Sequence, residues 1–154
     1  MDTSKITLTS QPLEATGGET FRLDDFAGQP VVVYFYPRDN TPGCTKEGEA
    51  FRDHFEAFSE LGCRIFGVSR DSLKSHERFA EKHGFPFPLI ADPEESLCRQ
   101  FDVIKEKNMY GRKVMGIERS TFLFDANGEL VREWRNVRVP GHVEEVLQAV
   151  RDLA

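Results

Sequence analysis

Pro30-Val31-Val32-Val33-Tyr34-Phe35-Tyr36-Pro37, followed by Arg38-Asp39-Asn40-Thr41-Pro42-Gly43-Cys44-Thr45-Lys46-Glu47, is the stretch on which the fold turns. Its first half is β-branched and aromatic and has no polar alternation. That is the pattern of a strand covered on both faces, and Pro37 ends it. Its second half holds a helix start: Thr41 suits the N-cap and Pro42 the first helical position, which sets Cys44 in the first turn.

Working outward, a hairpin is expected around Thr16-Gly17-Gly18-Glu19. After the central strand, a helix carries Phe51, Phe55 and Phe58 at spacings of four and three and ends at Gly62. Arg64-Ile65-Phe66-Gly67-Val68-Ser69 reads as a second buried strand. Asp71 or Ser72 can cap a helix with Leu73, His76, Phe79, Ala80 and His83 on one side and Gly84 as its terminator. Phe87 to Ile90 reads as a short strand, and Asp92-Pro93-Glu94-Glu95 opens a short helix through Phe101. Strands at Arg119–Phe124 and Glu129–Trp134 flank Asn127-Gly128, a strong hairpin signal. Val143, Val146, Leu147, Val150 and Leu153 mark a closing amphipathic helix. Strands joined by helices, then a hairpin and a helix, make an α/β fold of thioredoxin-like order. A central mixed β-sheet is flanked by helices and preceded by a β-hairpin.

Composition narrows the function classes. The 154 residues fit a single domain over 1–154, with 39% hydrophobic and 30% charged residues. The net charge of −6 is spread along the chain without a Lys/Arg block, which argues against nucleic acid. The longest apolar run is too short to cross a bilayer, and the polar opening Met1-Asp2-Thr3-Ser4-Lys5 lacks the apolar stretch of a signal peptide, so a cytoplasmic protein without a membrane partner is expected. His54, His76, His83 and His142 show no metal-ligand spacing and read as surface or satisfied residues. No cofactor motif appears, so neither metal nor cofactor is expected.

Three cysteines cannot all pair within one chain, so the surroundings of each decide its chemistry. Cys44 lies where a buried strand hands over to a helix, outside the phenylalanine stripe and beside Gly43. Ligand sites in open α/β sheets collect at such strand ends. The thiolate is the nucleophilic form of cysteine, and helix N-termini and neighbouring cations favour it. Cys63, at the mouth of a strand, and Cys98, on a helical face with Leu97 and Phe101, read as small buried core residues.

The run from Tyr34 to Glu47 resembles the peroxidatic motif of peroxiredoxins, in the version of the bacterioferritin-comigratory-protein or PrxQ subfamily. Leu97 to Phe124, with Phe101-Asp102-Val103 and Gly116-Ile117-Glu118-Arg119-Ser120-Thr121-Phe122, is similar to the same subfamily. The resemblance implies a thiol-dependent peroxidase that reduces hydrogen peroxide and organic hydroperoxides through a sulfenic acid on Cys44. It puts the family's hydroxyl on Thr41, its motif proline on Pro37 and its arginine on Arg119. Thr41 Oγ, the Gly43 and Cys44 N–H groups and the Arg119 guanidinium become the donors aimed at the peroxide oxygens. Pro37 packs over the sulfur, and Glu47 takes a hydrogen-bonding scaffold role. Without the resemblance, Arg119 reads as an exposed strand-end residue paired with Glu118. A monomer is implied, and Phe35, Phe85 and Tyr110 are the rings expected to set the width of the peroxide pocket.

The chain departs from the subfamily at the second cysteine. The common resolving positions hold Glu49, five residues after Cys44, and Ala80, on the next long helix. A one-cysteine cycle is therefore expected, with an external thiol such as thioredoxin, glutaredoxin or glutathione resolving the sulfenic acid. Three alternatives stay open: Cys63 or Cys98 resolves, the chain is a thioredoxin-like disulfide oxidoreductase, or it is a non-enzymatic holdase. The second meets Glu47 where Cys-x-x-Cys would need its second thiol.

Overall fold

The computed structural model describes residues 6–153; the polar opening at residues 1–5 lies outside them. The central strand forms as expected. β3 (Val31–Phe35) is buried along its whole length. It pairs in parallel with β4 (Arg64–Ser69) and antiparallel with β8 (Ser120–Phe124). β5 (Leu89–Ala91) adds in parallel to β4, and β9 (Leu130–Trp134) closes the other edge against β8. The early hairpin, β1 (Leu13–Ala15) and β2 (Glu19–Phe21), joins through β1 to β5. The order β2-β1-β5-β4-β3-β8-β9 describes one mixed seven-stranded sheet among the described residues.

Alternation along β3 divides the core in two. Val31, Val33 and Phe35 face a cluster with Phe66, Phe101, Phe122, Phe124 and Cys98. Val32 and Tyr34 face a second cluster with Phe51, Phe58, Phe79, Cys44 and Cys63. Helices α1 (Pro42–Asp53), α2 (Phe55–Glu60), α3 (Leu73–His83) and α5 (His142–Arg151) carry the residues that cover the second face. α4 (Ser96–Gln100) lies on the first.

Several expectations are corrected by local chemistry. The Phe51/Phe55/Phe58 stripe runs over two helices, because the chain breaks at His54, whose ring Nδ1 lies 2.9 Å from the Ala50 carbonyl. Others are met: of the two expected caps of α3 it is Ser72 that serves, its hydroxyl accepting from Ser75 N–H, and Gly84 ends the helix as expected, at φ +64°. The helix expected directly after Asp92 begins only at Ser96, since Glu95 sits at φ +66°; Asp92 still serves it, accepting from Leu97 N–H and Cys98 N–H at 3.1 and 2.7 Å. Leu153 falls past the end of α5 and is 39% exposed.

One element escaped the sequence reading. β6 (Ile104–Met109) and β7 (Arg112–Ile117) form a separate antiparallel hairpin. Its Tyr110-Gly111 turn takes φ +55° and +78°. Positive φ at both central positions is the tight-turn geometry whose twist matches the strands. The hairpin is polar along most of its length, so no apolar alternation announces it.

Candidate active site

The site forms at the C-terminal end of β3. Tyr36 N–H still bonds the Val68 carbonyl at 3.0 Å, after which Pro37 turns the chain away from the sheet. Thr41 takes the N-cap backbone conformation (φ −88°, ψ 153°), Pro42 opens α1, and Thr45 N–H makes the bond to the Thr41 carbonyl at 2.9 Å. The N–H groups of Gly43 and Cys44, inside this first turn, have no acceptor within the helix. The Thr41 side chain does not cap. Its hydroxyl donates to the Arg38 carbonyl at 2.8 Å, so its proton is committed and only its lone pairs face outward.

Cys44 is 2% exposed, and Arg119 reaches it from the short link between β7 and β8. Nη2 lies 3.4 Å from Cys44 Sγ, and Nη1 donates to Glu47 Oε1 at 2.6 Å. Arg119 thus ties together the two acidic side chains of one helical face rather than pairing with Glu118. Gly43 permits this, because a Cβ there would stand 3.1 Å from Arg119 Nη2.

Electrostatics bind the three groups together. Glu47 is fully buried, and burial raises its pKa to about 7 against the opposing pull of Arg119. Its second oxygen, Oε2, is buried without a hydrogen-bond partner. Burial works against the Arg119 charge, but Glu47 and Cys44 outweigh it and raise the guanidinium pKa.

A buried polar network behind the loop was not anticipated. Asp39 Oδ2 lies 2.7 Å from His76 Nδ1 and accepts from Ser75 Oγ at 2.8 Å, while Asp39 Oδ1 accepts from Tyr36 Oη at 2.7 Å. His76 Nε2 reaches the Ile90 carbonyl at 3.0 Å, and Asp39 N–H donates to Asp71. The link between Pro37 and Thr41 is thereby fastened to α3 and β5. A histidine on the Leu73/Phe79 face of α3 was the available signal, because a buried imidazole requires polar partners. His142 is likewise buried and satisfied, its Nε2 lying 2.8 Å from Thr121 Oγ1.

The other expected residues separate. Pro37 borders two cavities, of about 560 and 400 Å³, and Arg119 lines the smaller. Phe35 is buried in the opposite core, Phe85 stacks on Phe87 and Tyr110 is 99% exposed at the hairpin turn, so none of the three rings lines these cavities. Cys63 directly precedes Arg64, which pairs with Val31 at the start of β3, so it sits at the end of the sheet remote from Cys44. Cys98 lies across the sheet, in the first core cluster. All three cysteines are free. Burial raises the Cys63 pKa to about 12, and burial together with Asp92 raises that of Cys98 further.

The AhpC/TSA family model matches residues 5–133, and the chain belongs to that family. Within it the chain is similar to peroxiredoxin Bcp of Xanthomonas campestris pv. campestris, at 54% identity over 140 residues, 91% of this chain and 88% of that protein. Peroxiredoxin Bcp of Bacillus subtilis is 51% identical over 142 residues, 92% of this chain and 90% of the relative. The solved structure of the Xanthomonas campestris bacterioferritin comigratory protein, studied for alkyl peroxide reduction, superposes with a TM-score of 0.90 at 50% identity over 97% of this chain and 98% of that one. A peroxiredoxin 6 from Arenicola marina, 18% identical with a TM-score of 0.84, shares the fold. The protein is a thiol-dependent peroxidase, a peroxiredoxin of the Bcp/PrxQ type with a thioredoxin-like fold. Among the described residues no helix is long and apolar enough to cross a membrane.

Proposed function

We propose that Cys44 is the peroxidatic thiol and that Arg119 is its principal electrostatic partner. The observation that carries this reading is the guanidinium held between Cys44 Sγ at 3.4 Å and the Glu47 carboxyl at 2.6 Å, beside the free N–H groups of a helix start. The Cys44 thiolate attacks one peroxide oxygen, the S–O bond forms as the O–O bond breaks, and negative charge develops on the departing oxygen. Arg119 and the Gly43 and Cys44 N–H groups stabilise that charge, and the oxygen leaves as water or an alcohol once protonated. With its proton donated to the Arg38 carbonyl, Thr41 Oγ accepts from the peroxide O–H and so orients it. Glu47 fixes the plane of the guanidinium, and Pro37 limits water at the sulfur.

The substrates are hydrogen peroxide and organic hydroperoxides, in line with the alkyl peroxide reduction studied in the Xanthomonas relative. The second half of the cycle uses one protein cysteine: an external thiol condenses with the Cys44 sulfenic acid, and a second thiol then releases Cys44. Glu49 and Ala80 at the usual resolving positions support this. So does the place of Cys63, beside the opposite end of β3, a strand about 16 Å long, from the one that leads to Cys44. Disulfides need Cα atoms within about 7 Å. The enzyme acts as a monomer in the cytoplasm. Stopped-flow mixing with peroxide, followed by Trp134 fluorescence or thiol loss, tests the reading: rapid stoichiometric reaction is expected in the wild type and none in Cys44→Ser. A wild-type rate near that of free cysteine would overturn it.

A further inference from the structure

The β6–β7 hairpin carries Lys105, Lys107, Arg112 and Lys113 against the single acid Glu106, in a chain of net charge −6. It stands opposite the β3–α1 link. The cavity of about 560 Å³ between them is lined by the cations Arg38, Arg70 and Lys107, by the acids Asp71 and Glu95, and by apolar groups that include Met115. That is the size of a small-molecule site. Pro37 and Lys107 also wall the smaller cavity lined by Arg119. Lys107 therefore stands where the two spaces meet, beside the residue that touches the reactive sulfur.

The cleft keeps unspent positive charge. Arg70 is paired with Glu95 at 2.8 Å, and Asp71 accepts from Ser69 Oγ and Asp39 N–H. Among the described residues no carboxylate lies within 4.0 Å of Arg38 or Lys107. The Lys107 and Arg70 side chains both lie over Gly116: a Cβ there would make ordinary contact with Lys107 Cδ at 3.4 Å and Arg70 Nη2 at 3.8 Å. Burial, then Arg119 and Arg70 lower the Lys107 pKa, while the Cys44 sulfur and Glu118 oppose them, as expected of a cation within the field of the site. A half-buried ammonium with no carboxylate in direct contact is an open binding group, and the side-chain carbons of Met115 and Ile117 supply an apolar wall beside it.

We propose that this cleft binds the carboxylate of the small thiol that regenerates Cys44, with Lys107 selecting anionic thiols over neutral and cationic ones. The proposal rests on the one-cysteine reading above. The Cys44 sulfenic acid and the bound thiol form a mixed disulfide and release water. A second thiol then attacks the sulfur of the bound one, giving the small-molecule disulfide and returning Cys44 to its thiol. The cleft holds the first thiol with its sulfur toward Cys44, in a chain whose overall charge would otherwise repel it.

Three thiols that differ in the charge of their end group provide the test: 3-mercaptopropionate, 2-mercaptoethanol and cysteamine at equal thiolate concentration. Protein treated with one equivalent of hydrogen peroxide is first weighed intact, then mixed with each thiol, and loss of the sulfenic acid is followed. Mercaptopropionate is expected to react roughly fivefold faster than mercaptoethanol at low salt, with cysteamine slowest, and the spread should shrink at high salt. Lys107→Gln should bring the ratio to about one and Lys107→Arg should retain it. Equal wild-type rates, or an unchanged ratio in Lys107→Gln, would overturn the proposal while leaving the one-cysteine cycle standing. A charge preference seen only toward carboxylate-bearing hydroperoxides would overturn it too, giving the cleft to the peroxide. An intact mass that has lost two hydrogens instead of gaining one oxygen would mark an internal disulfide, and the one-cysteine cycle would fall with the proposal.

Discussion

Two kinds of cysteine site in this molecule share burial, and Cys98 like Cys44 is the third residue of a helix, yet they differ in the charge held at the sulfur. Cys44, Cys63 and Cys98 are at most 3% exposed. Cys44 nevertheless sits on a helix start with a guanidinium 3.4 Å from its sulfur. Cys63 and Cys98 have only desolvation and weak partners: Cys63 Sγ donates to the Arg64 carbonyl at 3.6 Å, and Cys98 sits beside the Asp92 carboxylate. Burial without a cation opposes the thiolate, which is why the pKa of Cys63 rises to about 12. What sets Cys44 apart is therefore the charge brought to its sulfur from a distant part of the chain.

The sharpest way to break the contrast is to exchange its members. Cys44→Ser should abolish peroxide reduction, whereas Cys63→Ala and Cys98→Ala should keep the wild-type rate within about twofold and instead lose roughly 1 kcal/mol of stability each, from the small cavity left behind. Stopped-flow rates and urea midpoints on the same samples read both axes. Loss of turnover in either alanine variant would end the distinction. Arg119→Met comes next in size. Removing one preorganised charge from an oxyanion site lowers rates by about 10²–10³-fold, and the loss should appear in the second-order rate constant with peroxide.

Burial and charge also compete at Glu47 and His142, with opposite signs. Glu47 titrates at about 7 in the fold against 4.5 normally. Between those values the native state holds a proton that the unfolded chain has released, so this contribution to stability is complete below pH 4.5 and is lost as pH rises to 7. His142 falls from 6.5 to about 4, driven by burial. There the unfolded chain binds the extra proton, so its contribution is complete above pH 6.5 and is lost as pH falls toward 4. The two slopes offset each other between pH 4.5 and 6.5. Urea midpoints across pH 4–8 should therefore tilt upward with pH in Glu47→Gln and downward in His142→Asn, each by up to about 3 kcal/mol. Parallel profiles in the two variants would refute the assignment of the groups.

Much of the fold was legible because its strands are either apolar throughout, as at Val31–Phe35, or joined by a diagnostic turn, as at Asn127-Gly128. The β6–β7 hairpin was not legible, since exposed strands of mixed charge carry no periodic apolar signal and Tyr110-Gly111 is a weak turn pair by composition. At the site, Cys44 could be placed from local signals alone: a strand end, Pro42 at the first helical position and Gly43. Arg119 could not. It lies 75 residues from Cys44 in sequence, and its meeting with Glu47 and Cys44 depends on β8 pairing antiparallel with β3. The family motif supplied that long-range contact. The commitment of the Thr41 hydroxyl proton needed coordinates, because it goes to whichever carbonyl the loop presents, here that of Arg38.

The smallest effect concerns what the Cys44 site lacks. On the proposed one-cysteine cycle, with no thiol at positions 49 or 80, the sulfenic acid meets a second peroxide unless an outside thiol arrives first, and the product is then the sulfinic acid. Glu49→Cys and Ala80→Cys each restore an internal competitor, and the first is not in reach without movement. Five residues along an α-helix rise about 7.5 Å, so a bridge from position 49 requires the first turn of α1 to unwind. Position 80 lies on α3, where Ala80 packs against the same core cluster as Cys44. Protection should therefore be partial, a several-fold lower sulfinate yield at modest peroxide that fades as peroxide outruns local unwinding. Mass spectrometry after graded peroxide, without added thiol, measures this directly. Equal sulfinate yields in the wild type and both variants would mean that the sulfenic acid is shielded from a second peroxide by the site itself.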